Sequence, residues 1–321
     1  MVRLHFTPLL VLAVAASPAM AADAAYLDYD LDGSGDVQEA DGAVASIVEV
    51  EAEVALDGEE TTLDGETRWP RDYVTIAAGV LTAPSYNGSD DRTILPALML
   101  RGRVKGFSFS TRGTNLRVDL IREHAGAKTD FKLGPMINLR SERSGSTGDA
   151  QVNATGKRDR ALELGLTAGL SHRGVLTGKY DQIGLRVTAL HDVSGVHDSW
   201  LVSPTIEYGT PLSRTTFIGM SASVNFYGKG YGRTYYDVTA AESLASGLAV
   251  YSDAGRKTEA GKMTLGLAAA KALSGDLRKG FVLVGGAQYG RVMGSHARSP
   301  IVEDAGNADQ WLGGLGIAYN F

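Results

Sequence analysis

Gln310-Trp311-Leu312-Gly313-Gly314-Leu315-Gly316-Ile317-Ala318-Tyr319-Asn320-Phe321 closes the chain. Side chains along a strand point alternately to opposite faces. Trp311, Leu315, Ile317, Tyr319 and Phe321 therefore share one face of this segment, and Leu312, Gly314, Gly316, Ala318 and Asn320 share the other. One face is large and aromatic; the second is small or polar. A soluble sandwich puts long charged side chains on its wet face, whereas a membrane barrel turns its apolar face to lipid and crowds small or polar groups into its lumen. This segment has the second character.

The same alternation recurs upstream. Phe131, Leu133, Pro135, Ile137 and Leu139 alternate with Lys132, Gly134, Asn138 and Arg140. Leu162, Leu164, Leu166, Ala168 and Leu170 alternate with Glu163, Gly165, Thr167 and Gly169, and Ile183, Leu185, Val187 and Ala189 with Gly184, Arg186 and Thr188. In 216–226 only Phe217 breaks the pattern, standing among the small residues Gly219, Ser221, Ser223 and Asn225. Forty glycines suit curved, crowded strands. Counting such segments gives 12, near 72–81, 94–103, 105–111, 114–122, 129–140, 160–172, 182–192, 199–208, 214–225, 261–272, 278–291 and 309–321. The pattern predicts an all-β fold: an antiparallel transmembrane β-barrel of about 12 strands, with 10 to 14 compatible with the boundaries. Arg112-Gly113 reads as a hairpin turn, and the polar gaps at 142–159, 226–260 and 292–308 as external loops. The register puts Arg117, Asp119, Lys132, Arg140, Glu163, Arg186, Glu207 and Asn225 on the inward face. Charges there must pair across the lumen or sit in water. They read as a salt-bridged plug or as a polar pathway.

The first residues read as an export signal. Arg3 gives a basic start, Leu9 to Ala16 is an apolar run, and Ala19-Met20-Ala21 is a small-x-small cleavage site. Residues 1–21 are thus expected to be removed. No internal stretch reaches the roughly 18 apolar residues of a membrane-spanning helix, and mean hydropathy is −0.07. The absence of cysteine excludes disulfides, thiolate nucleophiles and cysteine-ligated metals. Together with the amphipathic terminal strand and its final Phe321, the export signal predicts handling by the barrel-assembly machinery and insertion into outer-membrane lipid.

The net charge of −6 conceals an uneven distribution. Residues 22–66 hold 15 acidic side chains and no Lys or Arg, whereas 67–321 carries +8. An acidic extension, 22–68, thus precedes a basic body that begins at Trp69-Pro70. Within the extension, Asp30-Leu31-Asp32-Gly33-Ser34-Gly35-Asp36-Val37-Gln38-Glu39-Ala40-Asp41 fits the twelve-residue EF-hand loop. Asp30, Asp32 and Ser34 take positions 1, 3 and 5, Gly35 takes the sharp turn, Asp36 offers its carbonyl and Asp41 closes the ring. Asp41 replaces the usual bidentate glutamate, so the expected calcium affinity is weak, about 10⁻⁴–10⁻³ M. The alternative is a solvated acidic tail. Val48, Val50, Ala52 and Val54 alternate with Glu49, Glu51 and Glu53, a spacing that could pair with a barrel edge or set carboxylates against the basic body.

Three stretches resemble the MltA-interacting protein/OmpV family of outer-membrane proteins. They are Ala83-Pro84-Ser85-Tyr86-Asn87-Gly88-Ser89-Asp90-Asp91 with Ile94-Leu95-Pro96, Tyr235-Tyr236-Asp237-Val238-Thr239-Ala240-Ala241-Glu242-Ser243 running on to Tyr251, and Ser299-Pro300-Ile301-Val302 with Gln310 and the closing Tyr319-Asn320-Phe321. The resemblance covers about 72–321. It implies a barrel without established catalytic residues. It also implies partners, a periplasmic lytic transglycosylase and a murein synthase, because the name-giving member is regarded as a scaffold between them. Asp237 stands where the family pattern has glycine, and the extension at 22–68 lies outside the resemblance.

Other chemistries find little support. His5, His124, His172, His191, His197 and His296 show no metal-ligand spacing, and no nucleophile elbow frames Ser171, Ser194 or Ser203. Gly313-Gly314-Leu315-Gly316 sits inside a strand and opens no helix, so it is no phosphate loop. Nucleic acid is not an expected partner behind an export signal. The expected function is a non-enzymatic outer-membrane scaffold; the alternatives are a small solute channel or receptor, and an outer-membrane hydrolase.

Overall fold

A computed structural model describes residues 72–124 and 126–321, all within one unit, Gly35–Phe321. The expected cleavage site and the loop of Asp30, Asp32, Ser34, Asp36 and Asp41 lie outside the described residues. Among the described residues, 12 antiparallel strands form a closed barrel. They are β1 (Tyr73–Pro84), β2 (Arg92–Val104), β3 (Phe107–Arg112), β4 (Asn115–Val118), β5 (Thr129–Arg140), β6 (Ala161–Arg173), β7 (Gln182–Asp192), β8 (Trp200–Ser213), β9 (Thr216–Tyr227), β10 (Glu259–Ala272), β11 (Gly280–Val292) and β12 (Asp309–Asn320). Each strand pairs with its neighbours in sequence. The closing strand zips onto β1 from Thr75↔Asn320 to Thr82↔Gly313.

The alternation places the side chains as expected. Leu166, Leu185, Leu267 and Leu315 are exposed on the outside. Trp200 and Trp311 stand at one end of this apolar band, and Phe281, Tyr319 and Phe321 at the other. From Trp311 to Tyr319 is about 27 Å along the strand at ~3.4 Å per residue, enough for the apolar band of a tilted barrel. No helix among the described residues is long and apolar enough to cross a membrane; the strands do the crossing.

The shortest strand ends early for a local reason. Alternation extends to 122, but β4 stops at Val118, where Asp119 curls inward and its Oδ1 accepts hydrogen bonds from the N–H groups of Ile121 and Leu133, both 3.0 Å. Gly134 permits this crossing, since a Cβ there would stand 1.7 Å from the Val118 carbonyl oxygen. The β3–β4 turn is Gly113-Thr114, one residue beyond the expected position.

The lumen has two halves. On β1 and β9–β12 it is lined by small apolar groups, with Ala77, Ala270, Ala272, Val282, Val284 and Ala318 packed around Phe217. Phe217, the residue that broke the sequence alternation, points inward and fills this space completely buried. On β2–β8 the wall is polar and charged. At the end where β1 begins and β12 finishes, connections include two-residue turns at 105–106 and 214–215; the opposite end carries the long segments 141–160, 228–258 and 293–308. Short turns face the periplasm and long loops the exterior in such barrels.

Candidate functional site

The long segments lie at the outer end, as expected of external loops, and they are ordered. They contain α1 (Ala150–Ala154), α2 (Lys229–Tyr235), α3 (Ala240–Ser246), α4 (Gly294–Ala297) and α5 (Pro300–Glu303), and they fold together as a cap over the outer end. Tyr227, Tyr231, Tyr235 and Tyr236 pack with Val292 and Val302 in one cluster, while Tyr86, Val152, Val238, Leu248 and Ile301 form a second. Burial of about 150–250 Å² per aromatic ring makes tyrosine the main source of cohesion here. Average composition makes these stretches polar and hides the tyrosines and their distant partners.

Local capping chemistry shapes each helix. Thr239 and Glu242 form a reciprocal capping box at the start of α3, and Gly247, at φ 78°, ends it in the left-handed conformation. The Thr239-x-x-Glu242 spacing was a legible signal for this helix. Arg158 reaches across to Glu242, 2.6 Å, and to the carbonyl of Thr234, 2.8 Å. Ser299 caps α5 by accepting from the Ile301 N–H, with Pro300 in the first turn where no N–H is needed. The same hydroxyl donates to the Tyr236 carbonyl, tying α5 to the end of α2.

The β1–β2 turn is the keystone. The Tyr86 hydroxyl donates to the carbonyls of Ala305, 2.7 Å, and Ile301, 3.2 Å. The Asn87 amide donates to the Tyr236 hydroxyl, 2.7 Å, and accepts from Lys262 Nζ, 2.7 Å; its backbone N–H donates to Glu142, 2.8 Å. Gly88 has φ 110°, open to glycine alone in practice, and its N–H and carbonyl engage Gln310 and Asn307. Arg143, held at φ 55°, donates to the carbonyl of Tyr235 and to Thr155. Burial, helped by neighbouring Arg158, lowers its pKa to about 10. Burial likewise pushes the Tyr86 and Tyr235 hydroxyls above the usual phenol range.

Beneath the cap lies a charged layer. Arg140 of β5 makes a two-pronged contact with Glu163 of β6, at 2.6 and 3.1 Å. Asn138 donates to the same carboxylate at 2.8 Å, and His197 Nε2 lies 3.0 Å from it. The Arg140 guanidinium stacks 5.2 Å from the Tyr231 ring centroid. Further toward the termini, Arg186 pairs with Glu207, and Arg103 pairs with Glu123. A cavity of about 80 Å³ sits among Arg101, Arg117, Lys132, Arg186 and Glu207, with Tyr73 on its wall. The eight inward residues expected from the register all face the lumen side, and two of the pairings are Arg140–Glu163 and Arg186–Glu207. His197 shows no metal spacing, and its place as a buried partner of Glu163 has no local sequence signal.

The sequence over residues 76–321 matches the family described as MltA-interacting protein MipA. The chain belongs to that family. No curated protein matches it. Its fold is similar to an outer membrane channel from Pseudomonas putida F1, at 12% identity, TM-score 0.39, covering 82% of this chain and 100% of that one. It is also similar to an anion-selective porin from Comamonas acidovorans, at 9% identity, TM-score 0.37, covering 78% and 99%, and to the toluene transporter TodX of Pseudomonas putida, at 8% identity, TM-score 0.37, covering 86% and 97%. None of these three likenesses bears on activity. Family membership and the lipid-facing barrel place the chain in the outer membrane.

The family stretches acquire a physical meaning in the cap. Tyr86-Asn87-Gly88, Tyr235 to Glu242 and Ser299-Pro300-Ile301 meet there, although some 150 residues separate the first from the second. The departure at Asp237 is also accounted for. Asp237 lies outside the left-handed region, so its backbone does not require glycine. Its carboxylate accepts from the N–H groups of Ala254, 3.0 Å, and Gly255, 3.2 Å, and so closes the loop with side-chain hydrogen bonds.

Proposed function

We propose that this outer-membrane barrel is a scaffold for murein-processing enzymes, docking a lytic transglycosylase and a murein synthase at its periplasmic rim. The observation that carries the reading is the cap. A set of buried tyrosines, joined to the barrel wall through Asn87, Lys262 and Gln310, fills the outer end with fixed structure. Such an end suits an anchor, and the rim around the termini is then the surface left for periplasmic partners. The description of the family as MltA-interacting supports a murein enzyme as one of them. On this reading the chain performs no catalysis, and its assembly depends on the barrel-assembly machinery.

Affinity capture from native envelopes, after brief cross-linking, tests the reading. Recovery of a murein transglycosylase together with a murein synthase is the expected result. Capture that yields neither enzyme contradicts it.

A second reading, a small solute channel or receptor, draws on the polar half of the lumen and its cavity. We further propose that Asp30, Asp32, Ser34, Asp36 and Asp41 bind calcium weakly. The support is the ligand spacing in the sequence, where alternating oxygen donors flank the turn at Gly35.

A further inference from the structure

Four carboxylates and seven Lys or Arg side chains share the five turns at the periplasmic end, 105–106, 119–128, 174–181, 214–215 and 273–279. Folding treats the two signs differently. Asp119, Glu123 and Asp181 are buried. The Asp181 carboxylate accepts from the N–H groups of Val175, Leu176 and Thr177, at 2.8, 2.6 and 2.8 Å, and so holds the β6–β7 turn. Asp119 does the same for Ile121 and Leu133, and Glu123 pairs with Arg103. Asp276, the fourth, pairs with Arg278 at 2.8 Å. All seven bases, by contrast, are exposed. The rim is therefore a basic collar. Within it Lys105, Lys128, Arg214 and Lys279 make no ion pair among the described residues.

The collar reaches the lipid-facing side at Lys271. This residue follows Leu265 and Leu267 on the outward face of β10 and pairs with Leu283 of β11, two residues from the Phe281–Tyr319 pair. A lysine on the lipid face of a barrel is costly unless its ammonium reaches the polar boundary. Lys271 Nζ turns that way and donates to the Thr215 and Thr216 hydroxyls, both 3.0 Å. These partners are neutral, so they leave its positive charge in place at the level of the headgroups. The β10–β11 turn lies against the β8–β9 turn, with the Leu277 N–H donating to the Arg214 carbonyl at 3.1 Å. Arg214, Lys271 and Lys279 are thereby gathered on one side of the rim. Exposed aliphatic groups accompany them: Leu212 stands beside Arg214, and Leu273 between Lys271 and Lys279. An acidic protein surface would use the charge alone. A molecule with an anionic head and an apolar tail uses both.

We propose that this side of the collar binds an anionic glycerophospholipid of the periplasmic leaflet, with Arg214, Lys271 and Lys279 at the phosphate and Leu212, Leu273 and Phe281 against the acyl chains. Attraction of such bases to an anionic leaflet adds to the apolar contact, and neither alone selects the headgroup. The lipid site goes beyond the scaffold reading and stands whether or not a murein enzyme docks at the same rim.

Native mass spectrometry of the full chain tests the site. Folded barrel in detergent, verified by heat-modifiable mobility, is equilibrated with equal amounts of phosphatidylglycerol and phosphatidylcholine of matched acyl chains, and the retained lipids are counted. One base near an anionic headgroup contributes a factor of about 5, so phosphatidylglycerol is expected to be retained at least about fivefold over phosphatidylcholine. A smaller ratio overturns the proposal, and a collar made for an acidic protein would leave the two lipids equal. Two further chains locate the preference. Arg214→Gln, Lys271→Gln and Lys279→Gln together should bring the ratio below about twofold. Lys157→Gln, Arg160→Gln and Lys229→Gln, three exposed bases at the outer end, should leave it unchanged. A preference that survives the first set, or falls equally with the second, overturns the site. Lys271→Arg with Lys279→Arg keeps the charge and should keep the ratio; its loss there would overturn the assignment to charge.

Discussion

Glu163 and Arg140 show how the barrel holds charge at membrane depth. Each is almost completely enclosed, and Glu163 also serves Asn138 and His197. Removing one member strands the other, so Glu163→Leu is expected to cost about 3–5 kcal/mol, whereas Arg140→Met with Glu163→Leu should cost clearly less. The midpoint of heat-induced mobility change in detergent reports both; equal losses would show that the pair is not the stabilising unit. His296 offers a second residue-scale test, through pH. It is fully buried, edge-on to Tyr227 and Tyr236, with Glu259 3.6 Å away, and burial lowers its pKa to about 4. An opened cap would let it titrate near 6.5. Between pH 6.5 and 4 the open form therefore takes up a proton that the closed form refuses, and closure weakens as pH falls. The full effect is about 3 kcal/mol, with no contribution from this group above pH 6.5. Hydrogen exchange in 229–246 should accelerate over that window, after correction for intrinsic rates, and a His296→Phe chain should lose this part of the response.

At the scale of elements, strands were legible and the cap was not. The bounds of β5 and β7 match the alternation residue for residue, because period-2 burial against lipid leaves a strong pattern. β4 is shorter than its pattern, since Asp119 finds backbone donors off the sheet. The cap is built from short helices whose partners are distant in sequence, such as Tyr86 with Ile301 and Asn87 with Tyr236. No window of local sequence contains both members of such a pair, although the Thr239–Glu242 box and the Ser299-Pro300 start were readable. The inward placement of Arg140, Glu163, Arg186 and Glu207 was legible, and their pairing followed from the cost of isolated charge. The proposed calcium loop is tested at this scale. A divalent ion would offset repulsion among the carboxylates of Asp30, Asp32, Asp36 and Asp41. Titration calorimetry on the full chain should show calcium heats that vanish with Asp30→Ala/Asp32→Ala; equal heats, or magnesium competing as well as calcium, would reduce the loop to general acidic screening.

For the whole molecule, getting into the membrane and staying folded there rest on different features. Phe321 is 67% exposed on the outer face, with its ring 4.7 Å from that of Tyr319. Truncation forfeits only a fraction of a buried side chain, about 1 kcal/mol. Deleting Phe321 is nonetheless expected to cut the yield of folded barrel in cells severely, through lost recognition of the terminal strand, while barrels that do form melt nearly as before. Normal accumulation of the folded, heat-modifiable form would refute that role. The proposed scaffold role makes this barrel a closed anchor. Its tyrosine cap fills the outer end, and its inner half is apolar packing around Phe217 on one side and paired charge on the other. Single-channel recording of the full chain in planar bilayers tests this most directly: a closed anchor gives no steady conducting state, and a stable porin-like conductance in the unmodified protein would contradict it.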